Sequence, residues 1–154
     1  MEIDKLISAI KKLTPETKPK WGKMNATQMV WHCKKFIILY QNEKNHPPNL
    51  RTKTLGYMHM FFLRYIIKWD YDKYPRNTPT LKFFDPAKAK DVDLEDEKKE
   101  LVKRLKMVNK YNQKFIVNPM HGRVTRETFK EVVRGHTSFC LLYTSDAADD
   151  QACG

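Results

Sequence analysis

The chain has 154 residues, 41% of them hydrophobic and 31% charged, which is enough for one domain with its own core and an ordinary composition for a soluble globular protein. Lys and Arg number 29 against 18 acids, a net charge of +11. The opening residues MEIDKLISAIKKL mix acids and bases and exclude a secretory signal. The longest apolar stretch, Leu55 to Ile67, is broken by Gly56, His59 and Arg64 and is too short to span a bilayer, so a cytoplasmic protein without a membrane span is expected.

Residues 3–13 place Ile3, Leu6, Ile7, Ile10 and Leu13 on one face, which predicts a short amphipathic helix. Thr14-Pro15-Glu16 ends it in a loop. Asn25 is a good N-cap for a second helix, and no Gly or Pro interrupts the run from Ala26 to Tyr40. Met29, Cys33, Phe36 and Tyr40 form its apolar stripe, and His32 points inward among them. The polar, proline-containing connection from Gln41 carries His46. A third helix is expected from Arg51 to Trp69, with Gly56 the weak point near its start. The stretch 70–90 reads as a long ordered loop, because Tyr71, Tyr74, Leu81, Phe83 and Phe84 need a surface to pack on.

Asp93 caps a fourth helix whose acids precede its bases, as the helix dipole prefers, with Leu94, Glu97, Leu101, Leu105, Val108 and Tyr111 on its inner side. After the connection IVNPMHGRV, Thr125 caps a last helix with the stripe Phe129, Val132, Val133, His136 and Phe139. No stretch alternates with period two for long enough to argue a sheet. The expected fold is therefore all-α, a helix bundle.

The final fifteen residues, CLLYTSDAADDQACG, hold three Asp, two Cys and no Lys or Arg. The string LLYTSDAADD resembles the translation of a transposon-end sequencing adapter. On that reading residues 1–139 are the domain and 140–154 a non-native tail, whose residues from 141 on should pack poorly. Without the tail acids the body holds 15 acids against 29 bases, a charge of +14, and its one cysteine, Cys33, is a core hydrophobe in a reducing compartment.

Two histidines, His32 and His136, point inward from different helices. Each alone is a satisfied core histidine or a metal ligand, and the pair favours a shared ion, because bundle metal sites are built from inward side chains of facing helices. A third ligand one turn after His136 falls at position 140. His46, His59 and His121 read as structural or solvated.

LTPETKPKWGKMNATQMVWHC resembles the start of an uncharacterised subfamily of the DinB-like superfamily, with its W-G-K-M-x-x-x-Q-M-x-x-H segment. The N-x-P-T at Asn77 to Thr80, the P-x-x-G-x-x-T at Pro119 to Thr125 and the helix bearing His136 extend the resemblance over Ile3 to Phe139. It implies a four-helix bundle with a long crossover loop. It also implies a divalent metal, zinc or nickel, held by His32, His136 and position 140, where this chain has Cys140 and the pattern asks for histidine. Relatives of this type include thiol S-transferases, so the resemblance implies a metal-dependent enzyme. Such an enzyme would direct a low-molecular-weight thiol at an electrophilic small-molecule substrate, and a homodimer is compatible with it. A metal-dependent hydrolase is the near alternative. A non-catalytic basic protein binding nucleic acid or an anionic surface is the other class, although no nucleic-acid module is recognisable. Lys23, Arg64 and Arg76 are candidates for holding a thiol cofactor's carboxylates, against a plain reading as solvated bases.

Overall fold

A computed structural model describes residues 2–42 and 50–142. The stripes of the sequence become helices α1 (Ile3–Lys12), α2 (Ala26–Gln41), α3 (Leu50–Phe61), α4 (Leu94–Lys110) and α5 (Arg126–Leu142). Helices α1, α2, α4 and α5 pack on one another as a bundle. Its core holds Leu6, Ile10, Met29, Ile37, Leu101, Leu105 and Phe129, all fully buried. The connection carrying His46 lies outside the described residues. Among the described residues, no helix is long and apolar enough to cross a membrane.

The caps act as their residue types predict. Asn25 accepts from the Gln28 amide while the Gln28 side chain accepts from the Asn25 amide, a closed capping box at the start of α2. The helix stops at Asn42, whose left-handed backbone (φ 53°) turns the chain away. Asp93 accepts from the Asp96 amide at the head of α4, and Thr125 from the Thr128 amide at the head of α5. Glu97, an acid on the buried side of α4, is met by Lys34 of α2 at 2.7 Å, which neutralises a charge that burial would otherwise penalise. Lys98 is also buried, and its ammonium ties α4 to the end of α1 through the Leu13 carbonyl (2.8 Å).

Three expectations need correction. The all-α reading omits a small antiparallel hairpin, β1 (Phe115–Asn118) and β2 (Gly122–Thr125). Its strands have four residues each, too few for alternation to stand out, and Gly122 supplies the positive φ (68°) that its turn requires. The third helix does not run evenly to Trp69. After Phe61 it widens into a π-helical turn, Phe62–Ile66, and Lys68 and Trp69 close it in the left-handed region. The chain beyond Cys140 does not begin to pack poorly at once: α5 continues to Leu142 and Leu141 is fully buried, while residues 143–154 lie outside the described residues.

Helix α3 stands beside the bundle and leans on the hairpin. Gly56 is the reason it can come so close: a Cβ there would lie 2.0 Å from the Met120 carbonyl oxygen in the hairpin turn. The loop 70–90 is ordered by three short 3-10 turns and by its aromatic side chains, with Phe84 buried against α2. Leu81 is the exception, at half exposure, and does not join the packing expected of it.

Candidate metal centre

His32 sits on α2, and His136 and Cys140 sit one turn apart on α5. Their ligand atoms all lie within 4.8 Å of one another, and the Cys140 sulfur is 4.0 Å from Nδ1 of His136. The helices do this positioning through packing. Phe36, one turn after His32, stacks on the His136 ring (centroids 3.8 Å, 8° between planes). Phe84 of the loop meets both His32 and Phe36 edge to face. At Gly135, beside His136, the ring of Tyr71 comes so close that an added Cβ would lie 1.8 Å from it.

The tautomer of His32 follows from its partner. Nδ1 is 2.7 Å from the Phe84 carbonyl, which can only accept, so Nδ1 carries the hydrogen and Nε2 keeps its lone pair for a ligand. A carbonyl behind a histidine is the usual orienting partner of a metal-binding imidazole.

Cys140 is activated by its surroundings. The polar neighbour Cys33 is the largest influence and lowers its pKa well below the ordinary thiol value; burial opposes it, and His136 and His32 reinforce it. Cys33, whose S–H donates to Met29 Sδ (3.8 Å), is pushed well up by Cys140 and by burial, so Cys140 is the more acidic thiol of the two. Burial by itself would lower the pKa of His32; the hydrogen bond and charge of Cys140, the Phe84 carbonyl and Asp85 outweigh it and raise it. Two imidazoles and a thiolate are a borderline-soft donor set, suited to zinc and to similar late divalent ions. Three protein ligands leave a fourth position open, as catalytic rather than structural sites do. Bond lengths to zinc of about 2.0–2.3 Å ask the three groups to draw together slightly from the separations here.

The cluster forms part of the wall of a cavity of about 560 Å3, large enough for a small organic molecule. Its other walls are mostly apolar, from Phe36, Phe84, Val132 and Phe139 among others. Of the three basic residues singled out by sequence, Lys23 lines this cavity. Arg76 instead stacks on Trp21 (4.4 Å), and Arg64 donates to the Thr128 hydroxyl (3.1 Å).

His59 and His121, taken from sequence as structural or solvated, line the same cavity and are linked to each other. Tyr40 Oη is 2.9 Å from His121 Nδ1, His121 Nε2 is 2.9 Å from His59 Nδ1, and His59 Nε2 is 3.0 Å from Tyr74 Oη. Four side chains from α2, the hairpin turn, α3 and the loop thus form one line. No sequence signal marks it, because its members lie 15 to 81 residues apart and share no helical face.

Comparison of the chain with protein-family models, with curated proteins and with solved structures finds no match.

Proposed function

We propose that this chain is a divalent-metal-dependent enzyme of the DinB-like superfamily, acting on a small electrophilic molecule as a thiol S-transferase. The observation that carries this reading is the convergence of His32, His136 and Cys140 on one wall of an apolar cavity with a coordination position to spare. A bound divalent ion would supply a thiolate at neutral pH, because a coordinated thiol is deprotonated outright. The chain's own residues do the remainder. Phe84 and Phe36 pack on the imidazoles, the apolar walls would exclude water from the nucleophile, and Lys23, which lines the cavity, would meet a carboxylate of the thiol. A hydrolase using the same open position is the second reading, favoured by nothing beyond the same ligand set. In the natural protein a histidine at position 140 would give the last helix the H-x-x-x-H pair of that superfamily, and a genomic read through the junction tests this.

The test of the proposed function is metal uptake and transfer. Purified protein loaded with zinc or nickel should hold about one ion per chain and should consume a monohalobimane or chloronitrobenzene electrophile in the presence of a low-molecular-weight thiol. Absence of stoichiometric metal, together with DNA or anionic-vesicle binding that collapses with salt, would overturn it in favour of a charge-driven binding protein.

A further inference from the structure

The line Tyr40–His121–His59–Tyr74 has a direction, and the direction is set at its buried end. Asn118 in the hairpin takes the amides of Met120 (3.0 Å) and His121 (2.8 Å) on Oδ1. Its carboxamide orientation is thereby fixed, with Nδ2 donating to the Gly122 carbonyl (3.1 Å) beside the Tyr40 hydroxyl. Tyr40 is fully buried, and the one acceptor its hydroxyl hydrogen meets among the described residues is Nδ1 of His121. With that nitrogen accepting, Nε2 of His121 must carry the hydrogen and donate to His59 Nδ1. His59 Nε2 must then carry its own hydrogen and donate to the Tyr74 oxygen. The hydroxyl hydrogen of Tyr74 is the surplus one. Among the described residues no acceptor meets it, and Tyr74 lines the cavity beside His136, Phe139 and Cys140.

The rule of one hydrogen per link holds only while both imidazoles are neutral, and the surroundings keep them so. Burial is the largest influence on both; His59 and Arg64 then lower His121 further, to about 3, and His136 lowers His59.

We propose that Tyr74 is a binding residue of the cavity, its hydroxyl held as a hydrogen-bond donor toward a carbonyl or oxyanion of the small molecule by the one-way chain from the buried Tyr40 through His121 and His59. A lone tyrosine can turn its hydroxyl to accept or to donate. This one receives from His59 and can only donate to the ligand. It therefore selects acceptor oxygens over donor groups at that point of an apolar cavity, by leaving a buried donor unpaired when the wrong group enters. Tyr40, His121 and His59 are positioning residues. Complete passage of a proton along the line would leave a phenolate at Tyr40, whose pKa burial pushes up, so the chain orients a donor and does not release a proton. The proposal rests on the cavity receiving the substrate of the proposed enzyme, but not on the metal.

Two measurements on the zinc-free protein test it. Nitrogen-15 histidine spectra should show His59 and His121 both in the Nε2–H form at neutral pH. Tyr40→Phe, which removes the donor that fixes the direction, should let the Nδ1–H form appear at both rings together. Either ring in the Nδ1–H form in the wild type, or the two rings in different tautomers, overturns the directional chain. The probe for the donor is acetophenone, an apolar body with one neutral carbonyl. Its carbonyl stretch should move to lower frequency on binding, and Tyr74→Phe should abolish that shift and weaken binding about fivefold, the effect of one net hydrogen bond. An unshifted carbonyl in the wild type, an equal shift in Tyr74→Phe, or no binding of acetophenone overturns the assignment of Tyr74. A protein that binds zinc yet fails these tests retains its metal site and loses this one.

Discussion

One cavity carries two histidine pairs, and they use the same side chain in opposite ways. At His32 and His136 the packing brings the rings to the Cys140 sulfur, with a single backbone carbonyl behind His32. At His59 and His121 all four ring nitrogens are engaged in hydrogen bonds. The shifts differ in sign accordingly: His32 is raised against burial, chiefly by Cys140, whereas His59 and His121 are lowered, chiefly by burial. The lesson is that imidazoles on one cavity wall are not interchangeable. What decides between ligand and relay is whether each nitrogen already has a partner from another element.

The comparison breaks most visibly at the shared wall. Phe36→Ala should lower unfolding free energy by about 3–5 kcal/mol in denaturant titration, as other large-to-small core changes do. It should also loosen zinc, because Phe36 stacks on His136, while the His59 and His121 tautomers stay as they are. A loss in the range of surface substitutions would contradict the buried position of Phe36.

His32→Ala should separate the pairs. Stoichiometric zinc or nickel uptake, read by calorimetry and metal analysis, should be lost, while stability falls only by about 1–3 kcal/mol for the Phe84 carbonyl left without its donor. A variant that still binds one zinc tightly would remove His32 from the ligand set.

Acid should find the second pair. A histidine whose folded pKa lies below its unfolded value of about 6.5 binds more protons unfolded, so stability is complete above that pH and is lost on acidification. For His121 the window runs from about 6.5 down to about 3. Within it, each such histidine contributes a slope of up to about 1.4 kcal/mol per pH unit. Urea titrations across this range should show the slope, and His121→Asn should flatten it. Equal slopes in the two proteins would mean that His121 protonates freely in the folded state.

The smallest effect is expected from Tyr40→Phe. One net hydrogen bond of the line goes, about 1 kcal/mol, and zinc affinity should not change. A change in zinc affinity would show that the two pairs are energetically one site.

The bundle and half of the site were legible in sequence for one reason: helical period places residues of known spacing on one face. Ile3 to Leu13, Met29 to Tyr40 and Leu94 to Val108 are buried as their stripes predict, and His32 and His136 face each other because each lies on such a stripe. The hairpin and the burial of Leu141 are missed, because period carries no information there. Four-residue strands give too few alternations, and Leu141 is buried simply because the helix continues past Cys140 to Leu142. The line of His121 and His59 depends on tertiary placement alone. Gly56, which looks like a defect in a helix, marks the place where another backbone passes.

That glycine has a consequence for how substitutions in this chain would be interpreted. Gly56 lies one turn before His59 on α3, and the carbonyl that crowds it belongs to Met120, the neighbour of His121. The absence of a side chain at one point thus sets the span between the two rings. Any methyl group there must push helix and hairpin apart by more than an ångström, and a 2.9 Å link does not stretch that far. An alanine scan would therefore score Gly56 as a ligand-binding position, although it offers the ligand no functional group: it acts as the spacer that holds two instruments in tune.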